Sequence, residues 1–115
     1  MRRDPDPASF LPLTHLVYFL LLALAESPAH PYALVQRIRE GSGGCVDPGT
    51  GSFYSIIRRT VDDGLVAETA GDDSRRRTYA ISALGKRVLQ TELRRLETQV
   101  ASTRRTLKLS ERRSK

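Results

Sequence analysis

Hydrophobic residues follow a helical spacing in the first half of the chain. Residues 13–26 are apolar on nearly every face, which predicts a helix that is covered on more than one side. Residues 31–40 and 50–63 each carry an apolar stripe at helical spacing, and Gly64 is the expected stop of the later helix. The pattern therefore predicts three short helices with the first at the centre of the domain.

After the third helix the apolar period changes from helical to alternating. Residues 65–69 and 75–81 are predicted to form two short strands of a hairpin. Ser82 is placed to cap a final helix over 83–108. Helix, helix-turn-helix and hairpin in this order predict a mainly α fold with a small β-hairpin, namely a winged helix-turn-helix followed by a long C-terminal helix.

The last helix carries an apolar seam. Its members step by four, three, four and seven residues, as do the a and d positions of a heptad repeat: Leu89, Leu93, Leu96, Val100 and Leu107. A helix of this length is too long for one small core to cover, so it requires a second helix. We therefore expect a homodimer in which the seam pairs with its own copy.

These elements divide the chain into four segments. Residues 1–12 contain three prolines and alternating charges and are expected to form a flexible N-terminal arm. Residues 13–82 are the expected winged-helix DNA-binding domain, and residues 83–109 are the expected dimerisation helix. A basic tail at 110–115 follows. With 115 residues the chain has room for one domain and not for two.

Charge is strongly polarised along the chain. Residues 1–73 carry 6 Lys and Arg against 10 Asp and Glu, whereas residues 74–115 carry 13 against 3. A basic second half favours a polyanionic partner, which is either nucleic acid or an anionic membrane surface. A membrane-surface helix leaves its apolar side without a protein partner, whereas this seam has the spacing that two helices use on each other. We therefore expect the partner to be double-stranded DNA and not a membrane. The alternative is that the protein is a protein-interaction or anionic-membrane-surface module that uses the basic last helix.

Targeting and catalytic features are weak in this sequence. The apolar run 16–22 resembles the core of a secretory signal, but acidic residues precede it and it is too short to span a bilayer. The single cysteine, Cys45, cannot form an internal disulfide, and an ordinary free thiol in a cytoplasmic protein is favoured over a thiol switch. His15, His30 and Asp47 are not at catalytic or metal-ligand spacing. We expect no enzyme activity, no metal and no cofactor.

Six short motifs resemble those of one known family, in its order and spacing. They occupy residues 13–17, 23–25, 30–34, 51–54, 63–66 and 77–85. Over residues 10–100 the chain resembles the PadR family of bacterial transcriptional regulators. The resemblance implies a homodimeric repressor with an N-terminal winged helix and a C-terminal dimerisation helix, often released from DNA by a small molecule. The sequence departs from the family at two places: it has Pro31 where the family commonly has Gly, and Ser52 and Phe53 where the family commonly has Thr and Leu. The single last helix resembles the short branch of the family, which has no large effector domain.

Helical geometry separates the core face of the third helix from a face available to DNA. With Ile57 pointing inward, polar side chains fall on the outer face and its flanks. Those able to hydrogen-bond phosphates or base edges are Ser52, Tyr54, Ser55, Arg58 and Arg59. The alternatives are that Ser52 only caps the helix, that Tyr54 is half-buried in the core, and that the two arginines pair with the acidic residues that follow them.

Three successive arginines, Arg75, Arg76 and Arg77, lie at the predicted hairpin tip. Alternation along a strand sends at least one of them toward each face, and a hairpin tip is suited to phosphate contact. A solvated run of charge is the alternative. A two-fold dimer is expected to bind an inverted repeat whose half-site centres lie about 10 bp, or a multiple of that, apart.

A small apolar or aromatic effector is a further expectation, taken from the resemblance. Phe10, Leu13 and Tyr18 are the candidates to line its pocket, at the junction with the last helix. The alternative is that these side chains simply fill that junction.

Overall fold

A computed structural model describes residues 5–70 and 77–109 of the chain. The elements are α1 (His15–Glu26), α2 (Pro31–Gly41), α3 (Thr50–Asp62), β1 (Val66–Ala70), β2 (Arg77–Ile81) and α4 (Ala83–Leu107), preceded by a 3-10 turn at Pro7–Phe10. This order confirms the predicted winged helix-turn-helix with a long C-terminal helix. The predicted basic tail at 110–115 lies outside the described residues.

Local sequence signals fix several helix ends. Thr14 caps α1, where its hydroxyl accepts the Val17 N–H at 3.2 Å. Ser82 caps α4 in the same way and accepts the Gly85 N–H at 2.9 Å. Gly64 follows α3 with a φ of 85°, a left-handed conformation that glycine adopts without steric cost. These ends are therefore set by residues within a few positions of them.

The core forms around α1, which contacts α2, β2 and α4. The largest fully buried apolar side chains come from all four α-helices and from the turn after α3: Leu20, Leu21, Leu24, Leu34, Ile38, Phe53, Ile57, Leu65 and Val88. Burial of each such side chain contributes about 1.5–3 kcal/mol. The central position predicted for α1 from its uninterrupted apolar surface is confirmed.

The hairpin is antiparallel and is attached to the helical body. Val66 pairs with Ile81 and Glu68 with Tyr79. The Ala29 N–H donates to the Tyr79 carbonyl at 3.0 Å, and the Tyr79 N–H donates to the Ala29 carbonyl at 2.8 Å. The connection between α1 and α2 thus pairs with β2 and fixes the hairpin against the helices.

The N-terminal segment differs from the sequence prediction. Residues 7–10, which fell within the predicted flexible arm, form a 3-10 helix that packs against α4. α1 begins at His15 rather than at residue 13, because Thr14 is its N-cap, and the Leu13 N–H before the helix donates to the carboxylate of Glu92 at 2.9 Å. The last part of the predicted arm is therefore held in place by α4.

α4 changes character along its length. Its buried residues, Leu84, Gly85, Val88 and Glu92, all lie in its first ten positions. At Gly85 the helix passes so close to the turn after α3 that a Cβ atom would lie 2.3 Å from the Leu65 carbonyl oxygen. Within the described part of the chain, no helix is both long enough and apolar enough to cross a membrane.

Candidate nucleic-acid interface

The outward face of α3 is polar. Phe53, Ile57 and Thr60 are buried, and the Thr60 hydroxyl donates to the Ile57 carbonyl at 2.7 Å. The candidates that the sequence placed on the other faces are all exposed: Ser52, Tyr54, Ser55, Arg58 and Arg59. Helical periodicity therefore separated the two faces of α3 as the structure does.

Three alternatives for these α3 residues find no support in the structure. Gly49, not Ser52, is the N-cap of α3. Tyr54 is 55% exposed rather than half-buried in the core. Within residues 5–70 and 77–109, neither Arg58 nor Arg59 forms an ion pair with an acidic side chain.

α3 and the hairpin form the two walls of a cleft of about 620 Å³. Its lining residues are Tyr54, Ser55, Arg58, Val61, Glu68, Arg77 and Tyr79. Two guanidinium groups, two phenols and a hydroxyl supply hydrogen-bond donors, and Glu68 is the one carboxylate among the described lining residues. A cleft so rich in donors is chemically suited to an anion such as a backbone phosphate.

Glu68 and Arg77 form an ion pair inside this cleft. Arg77 Nη1 donates to Glu68 Oε2, and this hydrogen bond raises the pKa of Arg77. The pair is exposed to solvent, so it adds little to stability. A guanidinium carries five N–H donors, and the pair leaves most of them directed away from Glu68.

Tyr79 and Glu68 are cleft residues that the sequence analysis did not select. Burial raises the pKa of the Tyr79 phenol, and the nearby carboxylate of Glu68 raises it further, so the hydroxyl remains a donor at neutral pH. Strand alternation already placed Arg77 and Tyr79 on one face. Only the register, with Glu68 opposite Tyr79, adds the carboxylate to that face.

The remaining arginine candidates fall in other places. Arg75 and Arg76 lie outside the described residues. Arg59 follows Arg58 directly in sequence, but it lines a different cavity of about 200 Å³ behind α3. The two adjacent arginines of α3 therefore serve different surfaces.

That second cavity contains two of the three predicted effector residues. Phe10 and Leu13 line it together with residues of α1 and α3. Tyr18 is not among its lining residues, and the Tyr18 ring instead packs edge-on against Phe19 with 5.2 Å between ring centroids. The structure brings the first two candidates together and leaves the third apart. No α4 residue is among the described lining residues, so this cavity does not lie at the predicted junction with the last helix.

The five seam residues differ in exposure along α4. Leu89 is half-buried and packs on the core of its own chain, and Leu96 is half-buried. Leu93, Val100 and Leu107 are 47%, 51% and 60% exposed. An apolar stripe thus continues beyond the part of α4 that the core covers.

Other chemistry is sparse in the described part of the chain. Within residues 5–70 and 77–109, no three His, Cys, Asp or Glu side chains form a group that could hold a metal ion. Cys45 is an exposed free cysteine after α2.

Fold and cleft together define the class of protein. Three helices, with the second and third arranged as a helix-turn-helix and a hairpin facing the third, constitute a winged helix. The PadR-like family of transcriptional regulators matches residues 20–91, which is more than half of the chain. The chain belongs to this family, as its motifs predicted.

Solved structures support the fold. A transcriptional regulator from Clostridium thermocellum has a TM-score of 0.69 and 19% identity, over 79% of this chain and 88% of that chain. A PadR family regulator from Clostridium difficile has a TM-score of 0.68 and 15% identity, over 82% of this chain and 99% of that chain. Bacillus subtilis PadR in complex with operator DNA has a TM-score of 0.62 and 19% identity, over 71% and 47%. No curated protein matches by sequence.

Proposed function

We propose that this transcriptional regulator is a repressor that binds double-stranded DNA as a homodimer. α3 enters the major groove and the hairpin follows the phosphate backbone. The observation that carries the proposal is the donor-rich cleft between α3 and the hairpin, on a chain of the PadR-like family. A structural relative of this fold was solved in complex with operator DNA, which supports the same partner here.

Within this interface we assign different roles to neighbouring side chains. Arg58 is the proposed base reader, because it is exposed on the cleft side of α3 and a guanidinium can contact a guanine with two hydrogen bonds. Tyr54 and Ser55 are the proposed phosphate contacts, together with Arg77 on the hairpin. Arg75 and Arg76, which lie outside the described residues, are proposed as further phosphate contacts.

The dimer is proposed to form through the distal part of α4. Leu93, Val100 and Leu107 are large apolar side chains in heptad register that the chain itself leaves exposed. Pairing them with a second copy places the two recognition helices about a two-fold axis. The operator is then an inverted repeat with half-site centres about 10 bp, or a multiple of that, apart.

Release from DNA is proposed to use the cavity behind α3. Phe10 and Leu13 supply apolar walls, and α3 supplies another through Ile56. Its volume of about 200 Å³ is below that of typical ligand pockets, so we expect a ligand no larger than a substituted ring. Substituted benzenes that dissociate the wild-type complex but not a Phe10→Trp variant would support this site, whereas equal release of both would exclude it.

The DNA-binding proposal is tested by selecting duplexes from a random library and measuring affinities by anisotropy. Arg58→Ala is expected to cost about 1–3 kcal/mol on the selected operator and to relax the preference at one base pair of each half-site. Tyr54→Phe should weaken operator and random DNA equally. Arg59→Ala is the matched control, because this neighbouring arginine faces the other cavity.

A selected consensus without a dyad would contradict the proposal. So would an equal loss on operator and random DNA for every α3 variant. Either result would make the protein a non-specific basic binder.

A further inference from the structure

Glu92 is a buried carboxylate at the junction between the winged helix and α4. It is 1% exposed. Its Oε2 accepts the Leu13 N–H at 2.9 Å, and Arg95 donates from Nε to Oε1 at 2.5 Å and from Nη2 to Oε2 at 3.1 Å. The hydrogen bonds from Arg95 hold the pKa of Glu92 below its usual value, so the group is ionised at neutral pH. Three donors therefore hold one charged group in a fixed position.

A buried ion pair is weak evidence for a role in stability, because desolvation of the charges offsets much of their attraction and replacing such a pair with apolar residues of similar volume is often neutral. A carboxylate differs in being directional, since it accepts hydrogen bonds only from donors in defined places. Here it joins α4 to Leu13, two residues before α1, across 79 positions of sequence.

A second attachment holds the first turn of α4. The Ser82 N–H donates to the Leu65 carbonyl at 3.0 Å, and the Ser82 hydroxyl donates to the Gly64 carbonyl at 2.6 Å. Both acceptors lie in the turn after α3, two and three residues beyond its end. Ser82 and Glu92 are ten residues apart, or about 15 Å along a helix, so the two attachments together fix the direction of the α4 axis.

We propose that Glu92, together with Arg95, is a positioning residue that sets the spacing of the two recognition helices in the dimer. The inference rests on the proposed function, because only a dimer on an inverted repeat has such a spacing. α4 continues for fifteen residues beyond Glu92, which is about 22 Å of helix. A change of about 10° in the α4 axis moves the far end of that segment by about 4 Å, which exceeds the rise of one base pair (about 3.4 Å).

The test compares two variants of the full chain that each lose one negative charge from α4. Glu92→Gln keeps the size of the side chain and removes the charge that Arg95 contacts. Glu97→Gln removes the same charge from an exposed position on the same helix. The affinity of both variants is measured for three kinds of DNA: the selected operator, operators with one base pair inserted or deleted between the half-sites, and a scrambled duplex. The temperature is one at which circular dichroism and light scattering show folded dimers.

Glu92→Gln is expected to lower operator affinity by about 5- to 50-fold, within the range of ordinary coupling between distant sites. Its affinity for the scrambled duplex should stay unchanged, and its preference for the original spacing should flatten. Glu97→Gln should behave as the wild type. Arg95→Lys is a second variant, which also serves if Glu92→Gln does not fold. It keeps the positive charge but cannot make the two parallel hydrogen bonds of the guanidinium to Glu92, so it should also flatten the spacing preference.

Equal losses on operator and scrambled DNA would assign Glu92 a purely structural role and overturn the inference. Unchanged spacing preference in folded, dimeric Glu92→Gln and Arg95→Lys would overturn it as well. A wild-type protein that selects no inverted repeat would instead overturn the proposed function, and this inference with it.

Discussion

The two halves of α4 have different surroundings. Four residues of the segment 83–92 are buried in or beside the core of the winged helix, whereas none of residues 93–107 is buried. The first half is therefore constrained by packing within the chain. The second half keeps apolar residues in heptad register, and among the described residues of the chain Leu93, Val100 and Leu107 remain exposed. The difference indicates that α4 belongs to two structures, the winged helix and the dimer that we propose.

The largest expected effect comes from placing charge in the distal half. The double variant Leu93→Glu with Leu96→Glu should be monomeric, because charged residues at the seam positions oppose pairing of two helices. A monomer binds only one half-site, so operator affinity should fall by about 100-fold to 10,000-fold. Light scattering measures the mass of the variant in solution, and fluorescence anisotropy measures its affinity for the operator.

The matched control places the same charges on the opposite side of the distal half. Thr98→Glu with Ser102→Glu changes two exposed polar positions outside the seam. This variant should remain dimeric and retain most of its operator affinity. Dimers of unchanged mass in the Leu93 and Leu96 variant would show that the seam is not the interface.

A substitution in the proximal half should act on folding instead of assembly. At Gly85 an added Cβ would lie 2.3 Å from the Leu65 carbonyl oxygen and 2.8 Å from Ile81 Cγ1. Gly85→Ala should therefore lower the free energy of unfolding by about 1–3 kcal/mol, as overpacking commonly does. Gly51→Ala in α3, where no atom lies within 4 Å of an added Cβ, should not destabilise the protein. Urea denaturation measures both, and equal stability of the two variants would contradict the close packing of α4.

Glu92, the last buried residue before the exposed half, should make stability depend on acid pH. Its pKa is lowered in the folded protein, first by the hydrogen bonds from Arg95 and also by the Leu13 N–H, against a usual value of 4.5. The stabilisation from the ionised group is thus complete above the unfolded-state pKa and is lost as the pH falls through the lower folded-state value.

Urea denaturation from about pH 6 to about pH 3 measures this loss. The wild type should lose more stability over this range than Glu92→Gln, in which the other carboxylates titrate as before. Parallel curves for the two proteins would show that the carboxylate of Glu92 is not stabilised by its partners.

The smallest effect distinguishes the basic hairpin from the basic distal half of α4. Replacing Arg75, Arg76 and Arg77 with Ala should flatten the log–log salt dependence of DNA binding by about 0.9 for each phosphate that these arginines neutralise, with little change in sequence preference. Arg94→Ala, an exposed position on α4, is the control and should leave the slope unchanged. A flattened slope in the Arg94 control and not in the hairpin variant would contradict this prediction and assign the phosphate contacts to α4.

Much of the fold was predictable because its signals are local. The caps at Thr14 and Ser82 act on amide groups three residues away, and Gly64 supplies a conformation at its own position. The inner face of α3 followed from the helical period around Ile57 alone. The family motifs depend on the same local patterns, which is why the resemblance is visible without a structure.

The order of the elements, the two faces of α3 and the apolar seam of α4 follow from the sequence alone, since each depends on residues a few positions apart. Only the tertiary structure showed that Arg58 and Arg59 line different cavities and that Glu68 joins the cleft, because cavities and strand register depend on how separate elements pack. The bond from Leu13 to Glu92 spans 79 positions, and no periodicity in either segment specifies it. A buried charge requires hydrogen-bond donors, and the packing of the whole core decides which donors lie close enough to bond it.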